Sequence, residues 1–163
     1  MASSSDQYNL QRFKEAQDQS YHRVKAEINQ GRKQSHWIWF IFPQVQGLGR
    51  SSTAEHYSIK SEDEAIAYLQ DSLLGGRLNE CCQLLLQCKE PSIQKIMGFP
   101  DDLKLCSSMT LFAELSELRG VELNHGELTG PENIFRQVLK KFFDSKPDSL
   151  TSEKLNQWRL QSD

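Results

Sequence analysis

GRKQSHWIWFIFPQVQGLGRSSTAEHY, residues 31–57, decides the fold. Within it Trp37 to Phe42 places two tryptophans and two phenylalanines in a row that carries no charge. Each aromatic side chain buries about 150–250 Å², so this run belongs at the centre of a core. Pro43 cannot continue a helix and Ser35 is placed to cap one, so a short helix carrying Trp37 to Phe42 is predicted. The flanks are the opposite in character: Arg32, Lys33 and His36 before it, Gly47-Leu48-Gly49-Arg50-Ser51-Ser52 after it. Apolar bulk against converging polar groups describes a ligand pocket. It describes a buried helix with polar ends equally well, and both readings stand at this point.

Outward from that stretch, every recognisable signal is helical. Leu10, Phe13, the polar Gln17, Tyr21, Val24 and Ile28 recur at three- and four-residue intervals and mark a long amphipathic helix closed by Gly31. Ser61 to Glu64 reads as a capping box, and a further helix runs from about Leu73 to Cys88. Ser92 to Met97 reads as one short helix, and Pro100 opens another at its favoured first position. Met109 and Phe112 on one stripe, with Leu111, Leu115 and Leu118 on another, predict that this helix is buried on two faces. Pro131 is expected to open the next helix, with Phe135, Val138, Leu139 and Phe142 inward, and Thr151 to cap the last. No run alternates as a strand does. The expectation is an all-α fold: a single compact domain of about eight helices, several short, around the buried aromatic helix. It covers residues 8–160, after a disordered lead over residues 1–7 and with a polar loop insertion over residues 120–130.

Composition narrows the function. The chain has 163 residues, 37% hydrophobic and 25% charged, with a net charge of −3. No global basic field is available for a phosphate backbone, which argues against nucleic acid; only Arg32, Lys33 and Arg50 form a local basic patch. No apolar run approaches the ~20 residues needed to cross a bilayer, and MASSSDQ has neither a signal-peptide pattern nor the Gly of a myristoylation site. An intracellular, cytoplasmic protein with no membrane contact is expected. Cys81, Cys82, Cys88 and Cys106 match no zinc or redox spacing and read as reduced, small apolar residues. His22, His56 and His125 have no carboxylate or thiol at ligand spacing, so no metal and no cofactor are expected.

Several residues invite chemistry, each beside a plainer reading. In the Gly47–Ser52 turn, Arg50 and Ser51 with free backbone N–H groups resemble a phosphate cradle; a turn with a capping serine has the same residues. Asp102 is the candidate catalytic base and Lys104 a candidate anion binder, against a charged helix start that merely suits the dipole. Ser107 and its neighbour Ser108 need partners if buried, and the preceding turn's carbonyls supply them. His36 is a candidate acid or base, or is only a structural residue. Trp37 and Trp39, two positions apart, point to opposite sides of a helix, so one can be core while the other lines a cleft.

SHWIWFIFPQVQGLGRS, LGGRL and PDDLKLCSSMTLF, in this order and spacing, resemble a family of small all-helical bacterial, fungal and plant proteins of unknown function, sometimes mislabelled as calpastatin. The resemblance runs from Tyr8 to about Leu155; Ile38 stands where the family commonly has Met, and Cys106 where it has a basic residue. It implies the all-helical fold and transfers no catalytic residue. A looser likeness of architecture extends to the NADAR family, compact helical proteins that process ADP-ribose derivatives and cleave N-glycosidic bonds, although no NADAR motif lays onto these residues. The expected function is a pocket that binds or acts on an anionic, nucleotide-like or ADP-ribose-like molecule, with N-glycosidic hydrolysis as the candidate reaction. The alternative is a non-catalytic helical module for protein interaction.

Overall fold

The computed structural model describes residues 6–120 and 132–162. The N-terminal part of the expected lead, His125, Pro131 and the insertion beyond Gly120 lie outside the described residues. Among those described there are nine helices and no strand, the one extended pairing being an isolated parallel bridge between Val45 and Ile59. The architecture is all-α, as the periodicity requires.

The helices are α1 (Gln11–Gln30), α2 (Ile38–Ile41), α3 (Ser52–His56), α4 (Glu62–Gln70), α5 (Ser72–Gln87), α6 (Ile93–Met97), α7 (Asp101–Arg119), α8 (Ile134–Phe143) and α9 (Ser149–Ser162). At the centre lies α7, which touches α2, α4, α6, α8 and α9. Leu105, Met109, Leu111, Phe112, Ala113 and Leu115 are all buried, so its apolar stripes do meet neighbours on more than one face, but Leu118 at the end of the second stripe is exposed. Tyr68 of α4 stacks on Phe112, and Phe112 in turn contacts Phe135 of α8. From the other side Phe13 of α1 meets Tyr68 edge-on, at 5.0 Å between centroids.

Several caps differ from the sequence reading. The carboxylate of Asp6 accepts from the backbone N–H groups of Leu10 and Gln11 and so holds the start of α1. Asp71 caps α5, and Asp148 rather than Thr151 caps α9, accepting from the backbone and hydroxyl of Thr151. Ser61 caps α4 as predicted, but Glu64 does not complete the box: its carboxylate takes the Lys60 N–H and pairs with Arg12. At the start of α9 the carboxylate is the stronger acceptor for an orphan N–H, since charge-assisted bonds are the stronger ones.

The aromatic helix α2 is a single turn. Trp37 precedes it and Ser35 makes no cap bond to it. Ser35 is drawn instead to Glu27, the last polar residue on the buried side of α1.

Candidate functional site

Glu27 organises everything that follows. Its side chain lies on the apolar stripe of α1 between Val24 and Ile28, and it is buried. Four donors converge on the carboxylate: the backbone N–H groups of Gln34 at 2.7 Å and Ser35 at 3.0 Å, the Ser35 hydroxyl, and the Trp37 indole at 2.9 Å. Burial alone would raise the Glu27 pKa; the bonds from Ser35, Gln34 and Trp37 override it and hold the group down at about 2. This contact turns the chain sharply after α1 and seats Trp37, whose ring is 1% exposed.

Lys33 crosses the same turn. Its ammonium lies 5.0 Å from the Trp37 ring centroid, donates to the Ser35 carbonyl at 2.5 Å and pairs with Asp101 at 2.8 Å. Asp101 stands at the start of α7 and also attracts Lys104, at 3.8 Å. The Lys104 ammonium in turn lies 5.2 Å from the centroid of Trp39. Trp37, Lys33, Asp101, Lys104 and Trp39 thus form one continuous chain of contacts joining α2 to the first turn of α7. Two cations share one carboxylate there, and Lys104 is the more loosely held.

Two polar atoms near this chain are left over. The indole N–H of Trp39 and Oδ1 of Asp102 are both shut off from water and have no hydrogen-bond partner. A third, the Ser108 hydroxyl, is in the same condition deeper in α7. Such groups are rare in native proteins, and each calls for a physical reason.

The remaining sequence candidates do not join this cluster. Arg50 is exposed and, among the described residues, makes no hydrogen bond, ion pair or ring contact. Ser51 caps α3 by accepting from the Ala54 N–H at 3.0 Å. Gly47 adopts φ +98°, and a Cβ on Gly49 would come within 2.5 Å of the Ala54 methyl group, so the two glycines are explained by chain geometry. His36 is exposed and unbonded. Ser107 donates to the Leu103 carbonyl and to the Asp148 carboxylate, both at 3.2 Å, which docks the start of α9 on α7.

The other titratable groups are accounted for structurally. All four cysteines are free. Burial pushes Cys81 up to about 12 and Cys106 up to about 11, so both stay protonated thiols near neutrality. Among the described residues no group of three metal-ligating side chains occurs, and no helix is long and apolar enough to cross a membrane.

A separate feature was not read from the sequence. An open groove of about 740 Å³ runs along the first half of α1, facing Phe40, His56 and Tyr57. Its floor is Arg12, whose guanidinium donates to the carbonyls of Tyr8, Asn9, His56 and Ser58 and to Glu64. Arg12 sits beside the apolar stripe of α1 rather than on it, and its burial shows only in the structure.

Residues 7–155 match the family described as protein of unknown function (DUF1810). The chain is also 44% identical to the conserved hypothetical protein Rv1873 from Mycobacterium tuberculosis, whose crystal structure it matches over 93% of this chain and 99% of that one, with a TM-score of 0.81. No curated protein matches the chain.

Proposed function

The chain belongs to the DUF1810 family, and we propose that its helical scaffold binds a small anionic, nucleotide-like molecule at the junction of α2 and α7. One observation carries this reading: the indole N–H of Trp39, over whose ring Lys104 lies, and Oδ1 of Asp102 in the first turn of α7 are both buried and unpartnered. Leaving a buried donor or acceptor unmade costs about 1–3 kcal/mol. Chains that fold uniquely concentrate such costs at functional or strained sites. Lys104 and Trp39 keep part of their surface in solvent, and a ligand reaches the two closed-off atoms once these side chains move aside.

The donor set suggests the ligand's chemistry. Trp39 supplies an N–H and Lys104 a loosely paired ammonium, which suit a phosphate or carboxylate. Asp102 supplies an acceptor, which suits a hydroxyl. Nucleotide-like molecules carry both groups. A carboxylate bonded to a hydroxyl or a water is also the arrangement of a general base, and this gives Asp102 its place in an N-glycosidic cleavage. The looser likeness to NADAR proteins makes ADP-ribose the first compound to try.

The test is a thermal-shift panel of ADP-ribose, NAD, mononucleotides and sugar phosphates on the parent chain, Lys104→Met, Trp39→Phe and Arg50→Ala. Binding stabilises the fold by mass action, so a shift in the parent that is lost in Lys104→Met is the expected result. A panel in which nothing moves the parent sinks the proposal. A shift lost only in Arg50→Ala moves the site to the Gly47–Ser52 turn and sinks it as well. Turnover that disappears in Asp102→Asn while binding persists assigns the catalytic role.

A further inference from the structure

Lys33 and Lys104 reach the same carboxylate and are held there very differently. The Lys33 ammonium pairs with Asp101 at 2.8 Å, donates to the Ser35 carbonyl and lies over Trp37, and its side chain is 6% exposed. Lys104 has a long contact of 3.8 Å to Asp101 and the face of Trp39, 5.2 Å from the ring centroid. Its side chain is 24% exposed, and among the described residues it makes no hydrogen bond.

The two indoles differ in the same order. Under the fixed Lys33, the Trp37 N–H is bonded to Glu27. Under the loosely held Lys104, the Trp39 N–H is shut off from water and bonded to nothing. A cation on an aromatic face and an ion pair within one helical turn are each weak holds where solvent reaches them, and a lysine stem is a flexible four-carbon chain. When Lys104 leaves, Asp101 stays neutralised by Lys33, so no charge is stranded. A buried donor without a partner favours any motion that lets it meet water or a ligand.

We infer that the Lys104 side chain is a movable cover on Trp39. Closed, it rests on Asp101 and on the ring. Open, it swings aside and the indole N–H becomes accessible. Asp101, pinned by Lys33, is the fixed rest to which it returns. The contacts just given carry the cover itself, while what opens it rests on the small-molecule reading of the same junction: an anion takes Lys104 as its partner in place of Asp101 and accepts from the Trp39 N–H.

The test is solvent exchange of the indole N–H groups, read from proton–nitrogen correlation spectra of the full chain. Each of the three tryptophans gives one signal, assigned by replacing it with Phe. In Lys104→Ala the Trp39 signal is expected to exchange about tenfold faster than in the parent. The Trp37 signal should keep the parent rate, since its N–H stays on Glu27. Lys104→Arg restores a long cationic side chain and should bring the Trp39 rate back towards the parent's. The inference is overturned if Trp39 exchanges no faster in Lys104→Ala, or if Trp37 accelerates equally, which would mean a general loosening of the junction. If Lys104→Ala opens the indole while no compound of the thermal-shift panel stabilises the parent, the cover stands and the ligand reading falls. If a compound stabilises the parent while the Trp39 rate is indifferent to Lys104, the ligand reading stands and the cover falls.

Discussion

Trp37 and Trp39 leave the chain two residues apart and end in opposite situations. Trp37 is 1% exposed, and its N–H is bonded to a carboxylate that serves three further donors. Trp39 keeps part of its ring in solvent, yet its N–H is buried without a partner. Around Trp37 the Glu27 carboxylate and the indole N–H are matched, so that region holds the turn between α1 and α2 in one conformation. Around Trp39 a donor and an acceptor are withheld from both protein and water. A network satisfied in full rigidifies, and one satisfied in part stores a cost. The difference separates scaffold from the proposed site within a single helical turn.

The most severe test of that division is Trp37→Ala. It removes a fully buried ring and strips Glu27 of its indole donor, and a loss of about 3–5 kcal/mol is expected. Urea unfolding at neutral pH measures it. A loss below about 1 kcal/mol would mean the turn is held by something other than the Glu27 cluster.

Acid probes the same region without mutation. The Glu27 carboxyl is held down at about 2, from an ordinary value of 4.5. A group depressed on folding stabilises the native state above its unfolded pKa and loses that contribution as pH falls through the folded one. The window is therefore about pH 4.5 to 2, and about 3 kcal/mol is lost across it at 1.36 kcal/mol per unit. Chemical unfolding at pH 5 and pH 2.5, compared between the parent and Glu27→Gln, isolates this share. The parent should lose more than the variant, and equal losses would mean that Glu27 is not the group responsible.

The all-helical fold was legible because helix signals are local: periodic apolar positions, Pro43 and Ser61 read correctly without knowledge of the rest. Positions whose role depends on a distant partner were not. Ser35 was assigned to cap α2, since a hydroxyl before an apolar run ordinarily does so, and nothing near it in sequence reveals Glu27 eight residues upstream. Glu27 could have been suspected from its place on the stripe of Val24 and Ile28. Asp102, Lys104 and Trp39 were singled out by residue type, and the chain of contacts through Lys33 and Asp101 that links Lys104 to both tryptophans exists only in three dimensions. Arg50 and Ser51 were drawn into the candidate site by composition, while their turn has a complete explanation in Ala54 packing and the α3 cap.

Trp39→Phe turns the comparison around. It keeps most of the ring and deletes the unpartnered N–H, so the lost apolar contact and the relieved desolvation oppose each other. A change within about 1 kcal/mol in either direction is expected, since an unmade buried hydrogen bond itself costs ~1–3 kcal/mol. Destabilisation on the scale of Trp37→Ala would make Trp39 a scaffold residue too.

The smallest effect is expected of Asp102→Asn, and it is the most informative about the site. Asp102 lies in the first turn of α7, where a negative charge gains about 0.3–1 kcal/mol from the helix dipole. Against this, one carboxylate oxygen is buried with nothing to bond, and an amide is cheaper to bury than a charge. The two contributions are of similar size and opposite sign, so stability should change by no more than about 0.5 kcal/mol. The neighbouring Asp101 provides the contrast, because neutralising it strands the buried ammonium of Lys33. If Asp102→Asn unfolds at nearly the parent's urea midpoint while Asp101→Asn does not, the Asp102 carboxylate contributes little to the fold, and its retained charge is available to a ligand. Should Asp102→Asn cost as much as Asp101→Asn, the carboxylate is part of the α7 scaffold, and the α2–α7 junction loses the acceptor on which its ligand reading depends.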